Sequence, residues 1–481
     1  MTQLDLYVLL PVIFLAAWAS LLLLADLFVP RERKEITALL AALGLLIALG
    51  ISIGQFGRSG VGFGGMVTLD GFSTFLTCLF LLTGLLGIAL ALNYLKRMDI
   101  ERGEYYALLL FSVVGMMLMA QASDLIMVFL ALELLSIPLY VMAAMAYPKT
   151  DSEEAGIKYF LLGAFASGFL VYGIALAFGA TGATSLANIV AAVASGAANV
   201  PLLLAGAGFM LVGFGFKTAV VPFHMWTPDV YQGAPTSVTA FMAAGAKAAG
   251  FAALLRIFAL GLPALAFDMT QVLVVLSALS MLVGNFVAIA QTDIKRMLAY
   301  SSIAQAGYIL MAFVPYGNPA VRELSVAAAL FYLAAYTLTS FGAWGVVIAL
   351  EKDNSQGLKI DDYAGLGRKQ PFLAAAMTVF MLSLIGLPPT LGLVGKIYLF
   401  RAVIAGEYYQ LAFVGVLTSL ISAYYYLRVV VKMYMQDGDP QVTRERWLDF
   451  TIGTMAVATV LLSLFPAPLF DWASRAVLAL F

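Results

Sequence analysis

The chain has 481 residues, 63% of them apolar and 11% charged, with 26 Lys and Arg against 27 Asp and Glu for a net charge of −1. A mean hydropathy of +0.97 excludes an ordinary soluble domain, and the balanced charge, with no long basic run, excludes a nucleic-acid-binding surface or a polybasic anchor. One cysteine, Cys78, and one histidine, His224, are too few for a disulfide framework, a metal centre or an iron–sulfur cluster, so no redox group is expected on this chain.

Residues 1–30, MTQLDLYVLLPVIFLAAWASLLLLADLFVP, are apolar for too long and lack the basic start of a cleaved signal. They read as a first spanning helix, with which the mature chain is expected to begin. Apolar runs of about 20 residues, enough to cross about 30 Å of hydrocarbon, then predict helices over 4–28, 36–56, 71–95, 104–121, 124–147, 155–179, 201–223, 237–260, 269–290, 295–314, 324–350, 371–403, 408–433 and 449–469, fourteen in all. Only helices satisfy their own backbone in such continuous runs. Between the sixth and seventh, SLANIVAAVASG is too short to cross and predicts a surface or re-entrant helix.

Assigning alternate connections to opposite sides sorts the charges. Most Lys and Arg, from Arg31 to Arg446 and including Lys149, Lys295, Arg296 and Lys352, fall on one side, and only Arg58, Arg256, Arg322, Arg401 and Arg475 on the other. Cytoplasmic connections retain positive charge, so both termini are expected outside the cytoplasm. Asp124 opens helix five as Asp293 opens helix ten, and GFK ending at Lys217 is echoed by VGK ending at Lys396, as in a five-helix repeat whose odd number inverts successive units.

Setting aside the cations of the connections leaves Lys158, Lys217, Lys247 and Lys396 inside predicted spans, all lysine. A guanidinium stays protonated, whereas a desolvated ammonium exchanges protons near neutrality. Each such group costs roughly 2.5–3.5 kcal/mol at the bilayer centre, so a set of them calls for partners, water or a function. Lys158 lies one turn from the end of helix six and can snorkel; Lys247, near the middle of helix eight, cannot. Pro222 and flanking glycines interrupt the helix after Lys217, and consecutive Pro388 and Pro389 in SLIGLPPTLGLVGK break the helix before Lys396. Broken membrane helices line cavities and transport paths.

Glu133, in FLALELLSIPLY with Pro138 behind it, is the one carboxylate well inside the hydrocarbon and needs a cation or a proton. Near a lysine it makes a proton-transfer couple. His224 and Asp229 fall in the connector VVPFHMWTPDVYQGAPT, where a lone histidine either caps locally or relays a proton. The small residues of AAGAKAAG read as close helix packing.

The segments PFHMWTPDVYQGAPTSVTAFMAAGAKAAG, QTDIKRMLAYSSIAQAGY and LPPTLGLVGKIYLF follow one another as in a known family. The chain resembles, over essentially its whole length, membrane subunit N of bacterial NADH:quinone oxidoreductase, respiratory complex I. PDVYQGAP resembles subunit N, where the related antiporter-like subunits M and L typically read PDA, and Lys396 stands where subunit M usually has glutamate. The cyanobacterial and chloroplast relative is similar.

The resemblance implies an all-α polytopic membrane protein of about 14 transmembrane helices. It implies three N-terminal helices over 1–103, two inverted five-helix repeats (helices four to eight over 104–260, nine to thirteen over 269–434) with helices seven and twelve broken, and a last helix and tail over 435–481. It further implies Glu133 and Lys217 as the charged pair of a first half-channel, Lys247 as central link and Lys396 as exit-side residue of the second, with Lys158, His224 and Lys295 secondary. The implied function is proton translocation coupled to electron transfer from NADH to quinone, in the bacterial inner membrane. NADH, flavin, iron–sulfur clusters and quinone then belong to other subunits, with no cofactor or metal in this chain. The implied partners are the lipid bilayer, subunits M and K, and the lateral helix of subunit L. In agreement, no glycine-rich nucleotide loop follows a strand. Two alternatives share the fold: a subunit of a multisubunit sodium/proton antiporter, and a structural spacer whose lysines are locked in ion pairs.

Overall fold

Because lipid offers a backbone amide no partner, each apolar run closes its own hydrogen bonds as a helix. The computed structural model describes residues 2–262, 265–352 and 356–476. Among these, twelve helices are long and apolar enough to cross a membrane, and Leu10–Asp26 and Pro371–Ile385 are shorter apolar helices. Together they are the fourteen spans expected from sequence.

Spans one to three are Leu10–Asp26, Glu35–Gly54 and Gly71–Ala91; four to six are Glu104–Gln121, Leu125–Ala143 and Thr150–Thr181. Span seven begins as Val200–Thr218, and span eight covers Thr236–Ala259. Nine to eleven are Ala266–Ile289, Ile294–Met311 and Pro319–Leu350, span twelve begins as Pro371–Ile385, and thirteen and fourteen are Tyr409–Met435 and Arg446–Leu464. The short helix expected between spans six and seven is Leu186–Ala194. Not anticipated was a two-stranded antiparallel hairpin, Gly60–Gly62 with Val67–Leu69, turned by Gly64 and Gly65 at positive φ. The chain there lies between spans, where backbone groups left outside a helix pair with each other.

The repeat is visible in its parts. Spans six and eleven each have 32 residues. Asp124 and Asp293 cap spans five and ten through the amides of Ile126 and Arg296, and each forms a bridge to the segment behind the 32-residue helix, at Ser185 and Lys359. Spans seven and twelve end their first halves at left-handed residues, Ala219 (φ 61°) and Gly386 (φ 89°). They resume as Trp226–Gly233 and Leu391–Ala405. The echo of Lys217 in Lys396 does not survive this comparison. Lys217 precedes its break, whereas Lys396 stands as far beyond Gly386 as Asp229 stands beyond Ala219.

A second correction concerns Arg256, which charge sorting put in a connection. It lies inside span eight with 0% exposure, its guanidinium making two 3.0 Å hydrogen bonds to Asp70 and one of 2.9 Å to the Ala120 carbonyl. The Phe72 ring lies beneath it at 5.0 Å. The intramembrane cations are therefore not all lysines: an arginine is buried where a carboxylate at the start of span three neutralises it. Lys295, also sorted to a connection, is buried in the first turn of span ten.

Spans four and five approach so closely that a Cβ on Gly115 would stand 2.3 Å from the Leu135 amide nitrogen. Neighbouring Ser112 donates to the Leu135 carbonyl at 3.1 Å. Gly115→Ala is therefore expected to destabilise the chain by about 1–3 kcal/mol through overpacking, read as a lower thermal unfolding midpoint of the purified protein; an unchanged midpoint contradicts the contact.

Candidate functional site: a buried lysine series

Lys217 ends the first half of span seven, where the helix terminus favours a cation. It is 4% exposed and donates to Ser136 Oγ at 2.8 Å and Tyr159 Oη at 3.0 Å. Glu133 lies one turn before Ser136 on span five, half-buried, accepting from Ser167 Oγ at 2.5 Å. The two groups form no direct ion pair: Ser136 holds the ammonium, and the carboxylate lies beyond the contact shell.

Lys247 follows a π-helical turn, Met242–Ala246, inside span eight. Such turns leave the regular hydrogen-bond ladder and recur at functional sites. Its ammonium donates to the Ser302 carbonyl at 2.6 Å and to Ser302 Oγ at 3.0 Å. Lys396, on the second half of span twelve, reaches back across the break to the Leu384 and Ile385 carbonyls at 3.1 and 2.8 Å. It also donates to Ser419 Oγ at 2.8 Å, over the Tyr308 ring at 4.2 Å. The interrupted helix supplies those carbonyls, since its last turn has no intrahelical partners for them.

Span ten ties the last two lysines together through a residue that sequence reasoning missed. Gln305, one turn beyond Ser302, donates to the Leu384 carbonyl at 3.0 Å and accepts from Tyr332 Oη at 2.5 Å. Its amide also lies 3.3 Å from Tyr426 Oη, which is hydrogen-bonded to Ser301. Lys247 and Lys396 thus both rest on groups that span ten contacts. The signal was present in SSIAQ, polar side chains within a buried span, but a search for charge alone passes over it.

The secondary residues separate. Lys158 is 40% exposed at its side chain and pairs with Glu154 at 2.6 Å and Asp229 at 2.8 Å; Arg296 also pairs with Asp229, at 2.8 Å. Between them Lys158 and Arg296 hold both oxygens of the Asp229 carboxylate. His224 is buried, with no partner for Nδ1. No hydrogen bond joins its ring to the lysine series. Lys295 is 2% exposed and donates to the Ala234 carbonyl at 2.8 Å, at the start of span eight. Among the described residues, no three His, Cys, Asp or Glu gather where a metal ion would be held.

Chemically, Lys217, Lys247 and Lys396 share one property. Each ammonium is buried and contacts only neutral oxygens and aromatic faces, so no touching carboxylate locks it in its charged form.

Residues 122–422 match the family described as NADH:quinone oxidoreductase/Mrp antiporter, TM. NADH-quinone oxidoreductase subunit N of Chloroflexus aggregans is 48% identical over 482 residues, covering 99% of this chain and 98% of its own. A chain of the respiratory complex I from Thermus thermophilus with bound aureothin superposes with a TM-score of 0.82 at 36% identity, covering 96% of this chain and 99% of that one. A chain of the Mrp complex from Dietzia sp. superposes with a TM-score of 0.86 over 99% of this chain and 97% of that one; at 21% identity this shows the fold alone.

Proposed function

Because the chain belongs to the NADH:quinone oxidoreductase/Mrp antiporter family, and within it to the NADH-quinone oxidoreductase subunit N proteins, we propose that it moves protons across the membrane while a complex it belongs to passes electrons from NADH to quinone. The observation that carries this reading is the set of three buried lysines held only by neutral acceptors. A lysine in that setting can give up its proton without stranding a carboxylate in contact with it.

Glu133 modulates Lys217 from beyond direct contact. A rearrangement in a neighbouring subunit that moves this carboxylate changes the charge balance at Lys217, and the proton passes by way of water to Lys247, then Lys396, and out. Lys158, His224 and Lys295 belong to a secondary proton path. The two repeats, 104–260 and 269–434, act as paired half-channels, with 1–103 and 435–481 as flanking helices. NADH, flavin, iron–sulfur clusters and quinone reside in other subunits. Subunits M and K adjoin the chain and the lateral helix of subunit L lies against it, in a bacterial inner membrane with both termini outside the cytoplasm.

The test is proton pumping and NADH-driven quinone reduction in membranes carrying Lys217→Ala, with assembly followed on a native gel. Both activities are expected to fall several-fold in an assembled complex. Persistence of both favours a structural spacer. Strict dependence of transport on sodium favours the antiporter reading.

A further inference from the structure

On the face where most Lys and Arg gather, the chain holds a cavity of about 380 Å³ that reaches the surface beside the exposed Pro148 and Thr150. Glu351, at the C-terminal end of span eleven, contributes to its wall and is only 5% exposed. Its Oε2 is screened from solvent and makes no hydrogen bond of good geometry, with Tyr94 Oη the polar group nearest in effect to its carboxylate. A buried carboxylate oxygen with an unfilled acceptor is costly, and such groups in native proteins call for an explanation. Lys295, 2% exposed, lines the same cavity, and the charges of the two residues act on each other. The other titratable groups facing Glu351 are Tyr94 after span three, Lys149 and Asp151 at the start of span six, and Tyr363 after span eleven.

Span ten continues inward beyond the cavity. Ser302, which accepts the hydrogen bonds of Lys247, lies two turns beyond Lys295, about 10 Å along the helix axis. The Ala234 carbonyl that holds Lys295 is two residues from the start of the span that carries Lys247. The cavity therefore reaches from the surface to Lys295, and span ten carries on from there to the residue that holds Lys247.

We propose that Glu351 is the proton-collecting group of this cavity and that Lys295 receives its proton. A hydronium ion in the cavity gives a proton to Oε2, leaving water and the neutral acid. The acid passes that proton by way of a cavity water to Lys295 in its amine form, which restores the carboxylate and leaves a buried ammonium on span ten. The proposal rests on the proton-moving function given above and names the group that loads it.

The experiment uses the whole complex in membranes carrying Glu351→Gln or Glu351→Asp, with Lys217→Ala alongside, and measures pumping and quinone reduction over a pH series after assembly is checked on a native gel. Glu351→Gln keeps the shape but cannot collect a proton. It is expected to lower turnover about tenfold, below the range usual for a lost acid–base group, with a deficit that deepens as pH rises and protons become scarce. Glu351→Asp is expected to recover most of the loss with a displaced pH profile. A deficit equal at every pH, or one that aspartate does not relieve, makes Glu351 a structural contact and overturns the proposal. Native turnover in Glu351→Gln beside a defective Lys217→Ala overturns it while the function stands; native turnover in both overturns the function as well. Should Glu351→Gln fail to assemble, the aspartate variant decides, and an undisplaced pH profile overturns the proposal.

Discussion

Arg256→Ala is expected to remove most of the assembled protein from the membrane. The guanidinium has 0% exposure and is matched to both oxygens of Asp70 at 3.0 Å. Its loss leaves a carboxylate buried without its cation, and breaking such a pair from one side costs about 3–5 kcal/mol, a large part of the roughly 5–15 kcal/mol that holds a typical domain folded. Asp70 also caps span three, accepting from the Ser73 amide at 2.7 Å, so a displaced Asp70 loosens the helix start as well. The double variant Asp70→Asn with Arg256→Met removes both charges, keeps a capping side chain and fills similar volume. It is expected to restore much of the assembled protein, as replacing both members of a buried pair often does. The measurement is the amount of complex on a native gel together with its thermal midpoint; equal losses in the single and double variants would show that the pair is not what stabilises this junction.

Lys247→Arg is expected to stop proton movement as thoroughly as Lys247→Ala, lowering pumping and coupled quinone reduction by on the order of 10²-fold. The argument turns on charge against exchange. Arginine retains a cation near the Ser302 acceptors but does not release its proton under working conditions. If Lys247 is a fixed charge in a spacer, arginine should preserve activity and alanine should not. If Lys247 must alternate between ammonium and amine, both variants fail. Pumping measured in assembled membranes separates the cases, and native pumping in Lys247→Arg would remove Lys247 from the proposed route.

Some features were legible because they are local. Hydrocarbon demands long apolar helices, so the spans stand out in composition alone. Pro222 announced the first break and Gly386 with Pro388 and Pro389 the second, because proline lacks an amide donor and left-handed backbone favours glycine. Lys217, Lys247 and Lys396 were conspicuous because charge inside an apolar run is rare. Arg256 and Lys295 were misplaced for the converse reason: near the end of a run, a cation that is buried and one that lies in a connection look the same in sequence. Glu351 was hidden likewise, at the boundary of span eleven. Gln305 was missed because an uncharged amide does not disturb hydropathy.

The sequence by itself determined that the chain crosses the membrane, how many times it does so, where two helices break and that Lys217, Lys247 and Lys396 lie inside spans. Only the tertiary structure decided what those residues touch: Lys247 on Ser302, Lys396 on carbonyls across the break, Arg256 on Asp70, and Glu133 on Ser167 rather than on Lys217. The reason is physical. In a membrane protein the lipid-facing and core-facing sides of a helix are both apolar, so periodicity says little about how each helix is rotated. The partners also lie far apart in sequence, and which of them meet is fixed by the packing of whole helices.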